Sequence, residues 1–92
     1  MPNYLVSYDL DETGLKDYSR LENRLRALGA TRLRHSQWLL KYPLPVSGLE
    51  SDFMQCVNPS TDGFLIVAIV PGNTAWNKLM ISDDDVRRLL AE

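Results

Sequence analysis

The chain has 92 residues, of which 45% are hydrophobic and 24% are charged, and this composition suits one small globular domain rather than a disordered or repetitive chain. Its formal net charge is −2, and its single cysteine and single histidine exclude an internal disulfide framework and a four-ligand zinc site. Because the sequence shows no signal peptide and no apolar run long enough to span a bilayer, we expect a cytoplasmic protein without a membrane segment.

The first predicted element is a strand. Residues 4–9 alternate in side-chain character and are rich in β-forming types. A polar segment that contains Gly14 follows directly. The strand is therefore expected to end at Asp9.

A helix is predicted next, with Asp17 as its N-cap, or with Ser19 and Glu22 in capping-box spacing as an alternative start. Gly29 is expected to end it as the C′ residue. The apolar stripe of this helix consists of Tyr18, Leu21, Leu25 and Leu28. Three arginines lie off the stripe and are predicted to form an exposed basic face: Arg20, Arg24 and Arg26.

Two strands and a second helix are predicted in the middle of the chain. The strands cover residues 30–34 and 37–42 and are joined by a bend at His35 and Ser36. Ser47 is a suitable cap for a helix that runs to about residue 57. The residues of this helix that are expected to face inward are Leu49, Phe53, Met54 and Val57.

The last part of the chain opens with the apolar run 63–70, which predicts a buried central strand. A weak strand or extended segment at 74–81 precedes a final helix with Ser82 as its N-cap. The order β-α-β-β-α-β is that of the split β-α-β, ferredoxin-like fold. We therefore predict one α+β domain over residues 1–92, a ferredoxin-like sandwich with a core at about 3–73 and a C-terminal helical extension at 74–92.

The charge of the chain is unevenly distributed. From Lys16 to Lys41 there are seven basic and two acidic residues, a local charge of +5, whereas the rest of the chain has three basic and ten acidic residues. A mildly acidic protein with a basic middle can bind a polyanion such as RNA or DNA through one face. The alternative interpretation is a solvated helix face that binds no ligand.

Asp9 is the leading candidate for a functional residue. It ends the first predicted strand, and Asp11 and Glu12 follow closely. A cluster of carboxylates provides the oxygen ligands that Mg²⁺ or Mn²⁺ prefers. The alternative is an aspartate that only caps the turn after the strand.

The segment around the predicted bend is the second candidate. His35 and Ser36 cannot form a nucleophilic pair there, because neighbouring residues of a strand point to opposite faces. Arg34, His35 and Ser36 can instead form hydrogen bonds with phosphates, while Trp38 packs or stacks. The alternative is a bent hairpin with a core tryptophan.

Two further residues stand out by type. Trp76 is predicted to anchor the C-terminal extension, either on its own domain or as an interface residue on a partner subunit. Cys56 is predicted to be an inert thiol on the second helix, because no cation or histidine is next to it in the sequence.

Several segments of the chain resemble one known family. Residues 4–10 (Tyr-Leu-Val-Ser-Tyr-Asp-Leu), 17–21, 33–40 and 64–69 are similar to the small CRISPR-associated adaptation proteins of the Cas-two type, and more closely to their stand-alone, SinR-like relatives. The resemblance covers nearly the whole chain in the order of its elements, through short motifs. It implies a ferredoxin-like homodimer.

The resemblance also implies site residues and an activity. Asp9 matches the aspartate that pairs with its symmetry mate around a divalent metal, and Ser36 matches a serine near that metal or the scissile phosphate. The expected function is a Cas-two-like, metal-dependent endonuclease that acts on RNA or DNA. The alternative is a non-catalytic dimeric scaffold that binds nucleic acid or a partner protein. In either case the nucleic-acid backbone is expected to contact Arg20, Arg24, Arg26, Arg34 and His35.

Overall fold

The structure is a computed structural model that describes residues 2–10, 15–43 and 45–91. Its strands are β1 (Asn3–Asp9), β2 (Thr31–Arg34), β3 (Gln37–Lys41) and β4 (Gly63–Ala68). Its helices are α1 (Leu15–Ala27), α2 (Val46–Met54) and α3 (Asp83–Ala91), with a 3₁₀ turn at Pro71–Asn73. The strands form one antiparallel sheet in the order β2-β3-β1-β4, so the predicted α+β class is confirmed. None of these described helices is long and apolar enough to cross a membrane.

One face of the sheet, here called the inner face, packs against α1 and α2. Alternate residues of β1 and β3 point to this face, because side chains alternate along a strand. Their buried side chains meet the apolar sides of both helices in one hydrophobic core. The core residues include Tyr4, Val6, Tyr8, Leu21, Leu25, Trp38, Leu40, Leu49 and Phe53.

Helix α1 ends as its sequence predicts. Gly29 has a φ of 80°, and its N–H donates to the carbonyl of Arg26 at 3.0 Å. The N–H of Ala30 donates to the carbonyl of Leu25, also at 3.0 Å. These two bonds form a Schellman motif, in which glycine is favoured because it adopts positive φ without strain. The predicted start was wrong, since the helix begins at Leu15 and Asp17 lies inside it.

The predicted cap of α2 was also wrong. The helix begins at Val46 with Pro45 as the N-cap residue, so Ser47 lies within its first turn. Proline fixes its own φ near the value this position requires, and the turn starts without a capping side chain. Leu49 and Phe53 are buried as predicted, but Met54 is 43% exposed.

Strand β4 is an edge strand, and the prediction of a buried central strand was wrong. Among the described strands it pairs only with β1, from Asp9 opposite Gly63 to Tyr4 opposite Ala68. Phe64 and Ile66 pack against the inner core, whereas Leu65 is 60% exposed on the opposite face. The run is apolar on both faces, and within the described chain only one of them is covered.

The C-terminal extension covers part of that opposite face, here called the outer face. Residues 74–81 form no strand in the described structure, although Met80 N–H donates to the Leu33 carbonyl at 2.8 Å. Ser82 caps α3 as predicted, because its Oγ accepts the N–H of Asp85 at 3.1 Å. Val86 of α3 is buried on this side, together with Leu39 of β3.

Candidate active site at the Asp9 end of the sheet

Asp9 is the last residue of β1, and it is exposed. Side-chain alternation places it on the outer face with Leu5 and Ser7, away from the buried Tyr8. A shallow, open depression of about 340 Å³ lies beside it, lined by Ser7, Tyr8, Asp9, Gly63, Phe64 and Leu65. The carboxylate is therefore accessible to a ligand from solvent.

The turn between β2 and β3 lies next to this end of β1. Ser7 pairs with Gln37, and the N–H of Tyr8 donates to the Ser36 carbonyl at 3.1 Å. His35 is the other residue of this turn. The antiparallel pairing of β1 with β3 thus brings Asp9, His35 and Ser36 to one end of the sheet, although Asp9 and His35 are 26 positions apart in the sequence.

The donor chemistry of Asp9 fits a hard divalent cation, because Mg²⁺ and Mn²⁺ prefer carboxylate oxygens. Over the described ranges, no three residues among the His, Cys, Asp and Glu side chains are grouped so that they could hold a metal ion. Asp11 and Glu12, which the sequence places in the same cluster, lie outside the described residues. One copy of the described chain therefore offers fewer than three such ligands at Asp9, and further ligands would come from a second copy, water or a substrate phosphate.

The three arginines of α1 are all exposed, but they lie on two flanks of the helix. Arg24 forms a bidentate pair with Asp52 of α2, with Nε to Oδ1 at 2.9 Å and Nη2 to Oδ2 at 2.8 Å. This carboxylate raises the pKa of Arg24. Arg26 lies on the other flank, 5.6 Å from the ring centroid of Trp38. Because Arg24 holds α1 against α2, Arg20 and Arg26 are the better candidates for contacts with a polyanion.

Arg34 holds the C-terminal extension to the sheet, and Trp76 forms a hydrogen bond within the extension. Arg34 is exposed, and its Nη1 donates to the carbonyl of Lys78 at 3.1 Å. Trp76 is half-buried and donates from Nε1 to Asp83 Oδ1 at 3.1 Å. Both residues of this bond lie within the extension, and the predicted role of Trp76 stays a prediction. A largely apolar cavity of about 490 Å³ remains between this extension and the outer face.

Sequence reasoning missed a polar network on the inner face. The Tyr8 hydroxyl donates to Glu22 Oε2 at 2.7 Å and accepts from Trp38 Nε1 at 2.9 Å. Arg32 pairs with the same Glu22 oxygen, and its guanidinium lies 4.6 Å from the Trp38 ring centroid. Burial and the hydrogen bond to Glu22 raise the pKa of Tyr8, which keeps this phenol protonated. No local spacing links these residues, because they come from four different elements.

Cys56 follows α2 and is half-buried, with its Sγ 3.8 Å from the carbonyl oxygen of Asp52. Burial raises the pKa of this thiol. A raised pKa lowers the thiolate fraction and hence reactivity, which agrees with the prediction of an inert cysteine.

No family model matches this sequence, and no curated protein matches it. The structure is similar to the crystal structure of a hypothetical protein, TT1823 from Thermus thermophilus, with a TM-score of 0.69 and 17% sequence identity. The match covers 87% of this chain and 95% of that protein. At this level of identity, the likeness shows a shared fold and carries no function.

Proposed function

We propose that this chain is a homodimeric, Cas-two-like protein that processes nucleic acid, and that it hydrolyses phosphodiester bonds of RNA or DNA with a divalent metal held by Asp9. One observation carries the proposal. Asp9 is exposed at a strand end, beside the turn that contains His35 and Ser36 and beside the uncovered part of the outer face. In a nuclease of this kind, three features have to lie close together: a carboxylate, hydrogen-bond donors for phosphate, and a surface for a second subunit.

The finer fold assignment is part of the same proposal. Two β-α-β units share one antiparallel sheet in the order β2-β3-β1-β4, and this order supports a ferredoxin-like fold. Residues 74–91 would then be an extension of the core rather than a second domain.

The dimer is supported by the apolar outer face. Leu65 and Val67 of β4 are 60% and 39% exposed, and Leu65 also lines the depression beside Asp9. An exposed apolar patch of this kind favours association with another protein surface. A second copy that covers Leu65 about a two-fold axis would bring its own Asp9 close to the first. Two carboxylates placed together are unfavourable unless a cation or a proton lies between them.

The chain itself would supply binding groups around that cation. Asp9 would be a ligand, while the exposed His35 and the half-buried Ser36 would donate hydrogen bonds to phosphate oxygens. The exposed Arg20 would neutralise charge on the nucleic-acid backbone. A divalent metal bound there would lower the pKa of a bound water and would polarise the phosphodiester.

The test compares the wild type with Asp9→Asn on labelled single- and double-stranded RNA and DNA, with Mg²⁺, with Mn²⁺ and with a chelator. We expect cleavage that requires the metal and that falls at least 100-fold in Asp9→Asn, because a metal ligand is lost. Asp84→Asn, an exposed aspartate on α3, is the matched control and should cleave like the wild type. Cleavage that survives in Asp9→Asn would refute the assignment.

A non-catalytic dimer that binds nucleic acid is the second candidate. It is supported by the exposure of Arg20, Arg34 and His35, which can contact phosphates whether or not a metal is bound. In that case binding in gel shifts weakens steeply with salt, is indifferent to chelators and is retained in Asp9→Asn. Substitution of Arg20 and Arg34 together by alanine should reduce the salt slope, since each phosphate contact contributes to it.

A further inference from the structure

The backbone immediately after Asp9 is held by one tyrosine. The Tyr18 hydroxyl accepts the N–H of Leu10 at 3.4 Å and donates to the carbonyl of the same residue at 3.2 Å. Leu10 itself is buried in the inner core. A single side chain of α1 thus satisfies both backbone groups of the residue that follows Asp9.

The hydroxyl replaces a missing strand partner. β1 and β3 pair in a constant register, Tyr4 with Leu40 and Ser7 with Gln37, so the place opposite Leu10 falls on residue 34. The chain has already turned there, and Arg34 pairs with Gln37 as part of β2. Buried backbone N–H and C=O groups need partners, and an unpaired group costs free energy. Without Tyr18, the backbone N–H and C=O of Leu10 would have no hydrogen-bond partner on the β3 side among the described residues.

Tyr18 also contacts the residue before Asp9. Its ring packs edge-on against the ring of Tyr8, with centroids 6.1 Å apart and planes at 63°. Tyr8 is fixed in turn by the Ser36 carbonyl, and Asp9 pairs with Gly63 on the opposite side. Asp9 therefore lies between two neighbours that Tyr18 holds, although Tyr18 itself packs on the inner face.

We propose that Tyr18 is a positioning residue for Asp9: by fixing Leu10 and Tyr8, it sets the direction in which the Asp9 carboxylate leaves the sheet. The consequence for a divalent cation rests on the proposed function. The consequence for the backbone of Asp9 does not, so the two can be tested separately. Second-sphere groups that orient a metal ligand typically change metal affinity by about 10- to 100-fold.

Tyr18→Phe removes the hydroxyl and keeps the ring that packs against Tyr8. Tyr42→Phe is the matched control, because Tyr42 is also half-buried against the core, at the opposite end of the sheet. The first measurement is ¹⁵N relaxation of the amides. We expect the order parameters of Asp9 and Leu10 to fall from about 0.85 to below about 0.6 in Tyr18→Phe alone, the range of flexible backbone. Order parameters that match the wild type would overturn the proposal.

The second measurement is Mn²⁺ binding by electron paramagnetic resonance, with Asp9→Asn as the reference for a lost ligand. We expect the dissociation constant for Mn²⁺ to rise about tenfold in Tyr18→Phe, which is the lower end of the range for groups that orient a metal ligand. It should stay unchanged in Tyr42→Phe. An unchanged constant in Tyr18→Phe would overturn the positioning role towards the cation. If the wild type binds Mn²⁺ no better than Asp9→Asn, the proposed function fails, and the relaxation measurement alone decides whether Tyr18 positions Asp9.

Discussion

The two faces of the sheet are covered to very different extents. On the inner face, two helices bury a continuous core in which Val6, Leu25 and Phe53 are fully enclosed. On the outer face, the C-terminal extension buries Leu39 and Val86 but leaves the cavity beside it and the exposed Leu65. Burial of apolar surface is the main favourable term in folding. The inner face therefore contains most of the buried apolar side chains, whereas the outer face retains apolar surface that association can still bury.

The largest expected effect is on the inner face. Phe53→Ala should lower the free energy of unfolding by about 3–5 kcal/mol, because it removes a fully buried aromatic ring and leaves a cavity. Met54→Ala, at the next and exposed position, should change it by less than about 0.5 kcal/mol. Urea unfolding measures both. Equal losses would mean that burial in the inner core does not determine the cost of truncating a side chain.

A smaller loss is expected from the polar network of the same face. Glu22→Ala removes the carboxylate that accepts from Tyr8 and Arg32, and it should cost about 1–3 kcal/mol because these donors lose their partner. Glu50→Ala, at an exposed position of α2, is the control and should be nearly neutral. If the two variants unfold at the same urea concentration, the network contributes nothing to stability.

Local sequence patterns correctly predicted the structural features that depend on residues close together in the chain. The apolar stripe of α1, the glycine at its C-terminus and the Ser82 cap all depend on contacts within a few residues, and each is present. The edge position of β4 was not predictable in the same way, since an apolar run shows that both faces are apolar but not that both are covered. The Arg24–Asp52 pair spans 28 residues, and no spacing rule connects its partners.

The sequence indicated Asp9, His35 and Ser36 as candidate site residues, but it did not indicate that they lie close together. Their proximity depends on the register of β1 against β3, which only the folded sheet defines. The role of Tyr18 was hidden for a related reason. Its place in the apolar stripe of α1 accounts for its ring, whereas its hydroxyl binds the backbone of Leu10, which has no strand partner on the β3 side among the described residues.

On the outer face, the attachment of α3 can be weakened without touching the inner core. Ser82→Ala should destabilise this helix by about 1 kcal/mol, the usual contribution of a serine N-cap. Hydrogen exchange of the α3 amides should therefore accelerate about fivefold, while the β1 amides keep their protection. Ser51→Ala, within α2, should leave both regions unchanged. Faster exchange in β1 as well would show that the two faces unfold together.

The smallest effect on folding, and the largest on association, is expected at Leu65. Leu65→Lys should change the free energy of unfolding by less than about 1 kcal/mol, because the side chain is 60% exposed. If the outer face forms the dimer, the same change should raise the dimer dissociation constant at least tenfold in analytical ultracentrifugation. Met54→Lys introduces the same charge on α2 and should leave the dimer dissociation constant unchanged. A Leu65→Lys variant that sediments like the wild type would exclude this face as the dimer interface.

The two tryptophans of the chain are divided between these faces. Trp38 is buried on the inner face with the guanidinium groups of Arg26 and Arg32 near its ring, and Trp76 is half-buried in the extension on the outer face. Their intrinsic fluorescence can therefore be separated by location, since Trp76→Phe leaves an emission signal from the core and Trp38→Phe leaves one from the extension. In the two single-tryptophan proteins, transitions at different urea concentrations would mean that the extension detaches while the core stays folded. Coincident transitions would mean that the chain folds as one cooperative unit.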